Sequence, residues 1–474
     1  MQTLQILFAL LLAAGLLPAQ PYQPTWESLK NHKDPSWFLD AKFGIYTHWG
    51  PITVATENAP PGMEWYAQQM YLIKHPAFKY HQEKFGDQHK VGYKDVIPKF
   101  TAEKFDADEW ADLFARAGAK FAGPVAAHHD NFAMWGSKVT RWNSVGMGPH
   151  RDITGELEKA YRKRGMKFII TFHHGWAWRY YEPSYDFDGA DPRYWDLYAG
   201  PHEKGAPPSE KYLEKWLAMV DEAVGKYRPD LIWFDFELNR LIPAEYQRKM
   251  FAHYYNWAAA NKMESGVAMK HKEIQQYTGI LDFERGREDR IQPYPWLTDT
   301  AVGPWFHHNA LPYRTTDDLV DTFVDIVSKN GCMLLNVGPQ ADGRIPEKAR
   351  VMLLAFGDWM KTNGEAIYGT RPWTTYGEGP THNVGGGFSE QKSMPYTAED
   401  IRFTTKGDAL YAIALDWPAS GQLVVKSLAN KPVKNVSLLG YQGKLLWSQT
   451  ADGLAIKLPA AKPGDYAFAF KVTM

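Results

Sequence analysis

A chain of 474 residues exceeds one ordinary core, so one large domain of barrel size and a smaller companion are expected. Charge nearly cancels, 53 basic residues against 54 acidic, with no basic block, which excludes a phosphate-backbone partner such as nucleic acid. Aromatic residues reach 15% with 19 Trp, a bias that suits large cores or stacking surfaces for the apolar faces of sugars.

The chain opens on an apolar run from Leu4 to Leu17, too short for a comfortable bilayer span and followed by Pro18-Ala19-Gln20. Residues 1–20 read as a cleaved export signal, although no Lys or Arg precedes the run and Leu17 stands where a small residue is usual. The single cysteine, Cys332, excludes an intramolecular disulfide and a lipid-bearing cysteine behind the signal. The expected mature protein is periplasmic or extracellular, without membrane attachment after cleavage.

From about residue 25 to 370, short apolar runs at 43–46, 121–127, 167–172, 231–236 and 333–337 alternate with longer amphipathic stretches. This is the βα alternation of a parallel sheet, and a (β/α)8-like barrel over residues 21–370 is the expected architecture. Three of the runs end in imidazoles: His48 closes the first, His128-His129 the second and His173-His174 the third. They converge on one rim if the strands form a barrel. Adjacent strand residues point to opposite sides, so each pair is expected to give one ring to a pocket. The spacing fits no common zinc template, and neither a cofactor nor a metal ligand is expected. A metal-dependent barrel hydrolase using these histidines is the rival reading.

Residues 209–227 place Tyr212, Leu213, Trp216, Val220, Ala223, Val224 and Tyr227 on one helical face, and Pro229 ends the pattern. The next run, Asp230-Leu231-Ile232-Trp233-Phe234-Asp235-Phe236-Glu237, delivers carboxylates where a buried strand runs out. C-terminal strand ends of a barrel face its active site, which makes Asp235 a catalytic candidate. Strand alternation would direct Glu237 to the same side, unless irregular chain beyond the strand separates the two. A further helix over 316–329 carries a capping Thr and two Asp at its start and stops at Asn330-Gly331. Cys332 sits in an apolar strand and reads as a small buried hydrophobe. Pro346 opens a third helix. Beyond Arg371-Pro372-Trp373, a Gly385-Gly386-Gly387 loop and short alternating runs predict a small antiparallel β-sandwich over 371–474. No motif specifies an oligomeric state.

Several strings together resemble one family: Phe43-Gly44-Ile45-Tyr46-Thr47-His48-Trp49-Gly50, Glu64-Trp65-Tyr66, His128-His129-Asp130-Asn131-Phe132, Pro229-Asp230-Leu231-Ile232-Trp233-Phe234-Asp235, and Leu335-Asn336-Val337-Gly338-Pro339 with Asp342-Gly343. In order and spacing they look like the signature series of the α-L-fucosidases, glycoside hydrolase family 29. The resemblance implies a (β/α)8-like barrel followed by a C-terminal antiparallel β-sandwich. It implies a retaining exo-α-L-fucosidase acting on fucosylated glycans, with Asp235 as nucleophile. Glu284, twelve residues ahead of Trp296, falls where many members carry their acid/base, with Glu237 and Glu288 as alternatives. By the same resemblance His48, Glu64, Trp65, His128 and Trp233 contact the sugar; His129 and His173, from the runs that end in imidazoles, and Trp305, as an added wall, are further substrate-binding candidates.

The chain departs from the family in four places. Trp296-Leu297 replaces a Trp-Glu pair, and Thr171-Phe172 replaces a Tyr-Tyr pair before the histidines. A sugar-contacting Arg is missing from Val267-Ala268-Met269-Lys270-His271-Lys272, which leaves Lys270 or Lys272 to substitute, and Phe236 occupies a frequent Gly position. A catalytically inactive fucose-binding relative is a further alternative, one that would require a broken nucleophile or acid.

Overall fold

The computed structural model describes residues 21–275 and 277–474, so the expected export signal lies outside the described residues. Eight parallel strands close into a barrel in chain order: β1 (Phe43–Thr47), β2 (Phe121–Ala127), β3 (Lys167–Phe172), β4 (Leu231–Phe234), β5 (Gly266–Lys270), β6 (Ile280–Asp282), β7 (Trp296–Ala301) and β8 (Gly331–Asn336). Closure comes from β8 pairing with β1, Phe43 opposite Met333 and Tyr46 opposite Asn336. Gly44 of β1 is required by packing, since an added Cβ would lie 2.1 Å from the Phe121 ring of the neighbouring strand. The sequence pattern located five of these strands. β5, β6 and β7 escaped it because β6 has only three residues and because β5 and β7 spend positions on Lys270, Thr298, Asp299 and Thr300, polar yet buried.

The helices follow ordinary rules. Ser209 caps the Glu210–Tyr227 helix by accepting from the Tyr212 amide, and the predicted face is the buried one. Thr315 caps the Thr316–Ser328 helix, and Pro346 precedes the Glu347–Asn363 helix. Inside the barrel, Phe121, Val125, Ile169, Leu231, Trp233, Ala268, Leu297, Cys332 and Leu334 fill the interior, so it is a packed core with its opening at the C-terminal strand ends. Cys332 is buried there, and burial pushes its thiol up to about 11, as suits an inert packing residue.

The sandwich begins at β9 (Arg371–Glu378) and continues through β10 (Ile401–Lys406), β11 (Ala409–Ala414), β12 (Gln422–Val425), β13 (Asn435–Leu438), β14 (Leu446–Thr450), β15 (Gly453–Lys457) and β16 (Phe468–Thr473). A five-stranded sheet in the order β13-β16-β11-β10-β9 faces a three-stranded sheet in the order β12-β15-β14. A core of Ile401, Phe403, Leu410, Leu454, Ile456 and Phe470 among others unites them.

Two features fasten the sandwich to the barrel. Asp325, fully buried in the Thr316–Ser328 helix, meets Lys329 at 2.8 Å, Arg402 of β10 at 2.7 Å and Arg287 of the loop after β6 at 3.5 Å. Burial pushes the Asp325 carboxyl up, but the three cations outweigh it and hold the group below the usual carboxylate range. In addition, the loop between β9 and β10 reaches back to the barrel, where Gly386 donates to the Arg287 carbonyl and Glu390 to the Arg285 carbonyl. Among the described residues, no helix is long and apolar enough to cross a membrane.

Candidate active site

A cavity of about 560 Å³ opens where the barrel strands end. Ten of the residues singled out from the sequence line it: Asp235, Glu284, His48, Glu64, Trp65, His128, His129, His173, Trp233 and Trp305. Phe236, Lys270, His271, Lys272, Glu273, Asp299, Phe306, Gly387 and Phe388 complete the wall.

Asp235 follows the last residue of β4, and its amide extends the ladder by donating to the Phe172 carbonyl at 3.1 Å. The side chain is 9% exposed and pressed between cationic and imidazole partners: His173 Nδ1 at 3.1 Å, His129 Nε2 at 3.3 Å and Lys270 Nζ at 3.7 Å. Burial alone would raise its pKa, yet the facing His173, His129 and Lys270 overcome that and hold the carboxyl well below the usual range. An ionised carboxylate therefore stands at the cavity floor.

Glu284 has the opposite electrostatics. Burial, opposed by Lys270 at 3.2 Å and reinforced by Asp299 and Asp235, pushes its carboxyl up to about 7. One ammonium thus touches both groups, so the two carboxylates are separated by no more than their two distances to Lys270 combined. Two carboxyl groups in one pocket with pKa values driven apart are the arrangement of a charged group and a proton donor.

Lys270, the last residue of β5, is the hub: Asp299 lies at 2.7 Å, Asp282 at 3.0 Å, and the Trp233 ring at 4.6 Å. Desolvation would lower its pKa, but the surrounding carboxylates raise it well above the ordinary value. Asp282 is wholly buried, and burial with Asp299 beside it raises its carboxyl well above the usual range. Asp299 also accepts from the Tyr46 hydroxyl at 3.1 Å. Of the two lysines suggested by the missing Arg, Lys270 meets the carboxylates, whereas Lys272 is an exposed part of the wall.

Three readings need correction. Glu237 does not accompany Asp235 into the cavity: β4 ends at Phe234, Glu237 turns left-handed at φ 70°, and its carboxylate pairs with Arg240 at 2.7 Å. Glu288 is likewise not among the lining residues, which leaves Glu284 as the one of the three candidates in the cavity. The histidine pairs also differ from each other. His173 faces the cavity and His174 is buried against Phe172 and Trp216, one ring per pair as expected, but His128 and His129 both line the cavity. The chain leaves β2 at Ala127 after a register irregularity and turns, with the Asn131 amide donating to the His128 carbonyl, so strand alternation no longer applies.

The imidazoles are suited to hydroxyls. Burial lowers the pKa of His48 and His128 well below the ordinary value and lowers that of His173, so neutral rings face the cavity. His48 Nδ1 is fixed by the Asn336 carboxamide at 2.9 Å. Among the described residues, His128 Nδ1, His173 Nε2 and Trp233 Nε1 are buried without hydrogen-bond partners, capacity that the protein itself leaves unused. Ligand atoms of His48, His128 and His173 lie within 4.8 Å of one another, as do those of His129, His173 and Asp235.

Comparison with known proteins decides the family. The α-L-fucosidase model matches residues 10–365, and the α-L-fucosidase C-terminal domain model matches residues 394–473. The chain belongs to the α-L-fucosidase family. Over 96% of its length it is 32% identical to the tissue α-L-fucosidase of Homo sapiens, covering 92% of that protein. It is 30% identical to the human plasma α-L-fucosidase over 93% of this chain and 89% of that one. Among solved structures, Thermotoga maritima α-fucosidase in complex with fucose superposes with a TM-score of 0.78 at 31% identity, covering 95% of this chain and all of the other. As an α-L-fucosidase family member this protein is a glycoside hydrolase, and the barrel-plus-sandwich architecture is the family's own.

Proposed function

We propose that this fucosidase removes terminal α-L-fucose from glycans with retention of configuration, by double displacement through Asp235. The observation that carries the reading is the pairing of an ionised, buried Asp235 with Glu284 pushed up to about 7, both bound to Lys270 Nζ. Retaining glycosidases need their two carboxyl groups about 5–5.5 Å apart, a spacing that the shared ammonium permits. In the first step an Asp235 oxygen bonds to C1 of fucose while the C1–O bond breaks and Glu284 protonates the departing oxygen. In the second, Glu284 takes a proton from water, the water oxygen bonds to C1, and the Asp235 ester is released.

The remaining wall suits a deoxyhexose. His48, His128 and Glu64 offer hydrogen bonds to ring hydroxyls, with His129 and His173 beside the nucleophile. Trp233, Phe236, Trp65 and Trp305 present apolar surface to the C5 methyl and the less polar ring face. Phe236 narrows the pocket beside the nucleophile, its ring against Trp176 and His129 at 5.2 and 5.3 Å. The apolar run before residue 20 supports export as the setting in which glycans are met.

The test is a panel of fucosylated oligosaccharides with the anomer of the first-formed sugar read by NMR. Release of α-fucose supports retention. Release of β-fucose would contradict Asp235 as nucleophile, and fucose affinity without turnover would favour the binding-only alternative. The clustered imidazoles keep the metal-dependent alternative in view. Activity undiminished after exhaustive chelation, with no gain on adding zinc, counts against it.

A further inference from the structure

We propose that Phe388, carried by the sandwich and not by the barrel, is the stacking platform for the sugar to which fucose is attached. The proposal rests on the fucosidase reading above and assigns its leaving-group side. Four observations converge. Phe388 and Gly387 belong to the loop between β9 and β10, yet both line the catalytic cavity. Phe388 is half exposed, at 51%, and stands at the rim of a cavity whose catalytic carboxylates are sheltered. Its backbone is left-handed, φ 58° and ψ 18°, a conformation unfavourable for a non-glycine residue. Finally, the amide that fixes this conformation donates to the backbone carbonyl of Glu284 at 2.6 Å.

The ring is therefore registered on the residue that would protonate the leaving oxygen. Its exposure does not come from a loose loop. Gly386 donates to the Arg287 carbonyl at 2.7 Å, Arg287 donates to Ser393 and Tyr396 at 2.8 and 2.9 Å, and Glu390 binds Arg314 at 3.1 Å and Thr300 at 2.9 Å. Gly386 holds φ 101°, a left-handed conformation that favours glycine, and the position of a Cβ at Gly387 lies in contact with His271 at 3.4 Å. With fucose seated over Asp235, the bond that breaks leads past Glu284 toward this ring. A flat, half-exposed apolar surface anchored there fits the apolar face of a pyranose.

The test compares two substrates that both need protonation of a poor leaving group, methyl α-L-fucoside and α-L-fucosyl-(1,2)-galactose, on the full-length chain. Phe388→Ala keeps the amide and is expected to lower kcat/KM on the disaccharide about tenfold, while the methyl fucoside stays within about twofold. Phe388→Trp is expected to retain both activities, and the alkaline limb of the pH profile should not move in either variant. Equal losses on both substrates would overturn the proposal, because they would show the residue acting through Glu284. So would an unchanged disaccharide rate in a Phe388→Ala protein of normal Tm. Wild-type enzyme that releases fucose from neither substrate would instead overturn the fucosidase reading, and this inference with it.

Discussion

Replacing Lys270 with Met removes the ammonium shared by Asp235, Asp282, Glu284 and Asp299 while keeping most of the side-chain volume. Its effect on Glu284 has a definite sign. Lys270, 3.2 Å away, favours the ionised carboxylate and opposes burial, so its loss must drive the carboxyl above about 7. A neighbouring opposite charge shifts a carboxyl by about 1–3 units, so the increase should be at least about one unit. Glu284 has to carry its proton to act as the acid, so kcat/KM falls as pH rises through its pKa. The alkaline limb of the profile should therefore start near pH 7 in the wild type and move upward in the variant. Asp235 also loses a partner and becomes easier to protonate, so the acid limb should move up as well. Breaking a buried ion pair costs about 3–5 kcal/mol, which corresponds to a fall in Tm of roughly 3–5 °C for a protein of this size. The assay is kcat/KM on an aryl α-L-fucoside from pH 4 to 10, with calorimetric Tm alongside. An alkaline limb that stays in place or moves down, with Tm unchanged, would refute this reading of the charge cluster.

Two other substitutions separate the chemistry from the scaffold. Glu284→Ala should slow hydrolysis of natural fucosylated glycans by about 10²–10⁴-fold and of activated aryl fucosides far less, because a good leaving group needs little protonation. Equal losses would point away from Glu284 as proton donor. Asp325→Asn leaves Lys329, Arg402 and Arg287 buried without their shared anion and should destabilise the protein by about 3–5 kcal/mol, seen as a lower denaturation midpoint. Because Arg287 also holds the Phe388 loop, thermolysin cleavage within residues 379–400 should appear earlier in this variant than in the wild type.

The legible part of this molecule was the part in which local pattern and global fold agree. Runs such as 121–127 and 167–172 are apolar because both sheet faces are covered, and the residues just beyond them line the cavity because barrel strands end there. β5 and β7 were illegible for the reason that makes them useful: Lys270 and Asp299 interrupt the apolar pattern to form the charge cluster. Strand alternation misplaced Glu237 and one ring of the His128-His129 pair because in both places the strand has already ended. Phe388 carried no sequence signal as a site residue, since only tertiary contact between sandwich and barrel brings it to the cavity.

The direct test of Asp235 as nucleophile is Asp235→Ala assayed on an aryl α-L-fucoside with and without sodium azide. Turnover should fall roughly 10³-fold or more, and azide, entering the space left by the carboxylate, should restore part of it with β-L-fucosyl azide as product. A variant that hydrolyses at near wild-type rate, or that yields the α-azide, would contradict attack by Asp235 on the anomeric carbon.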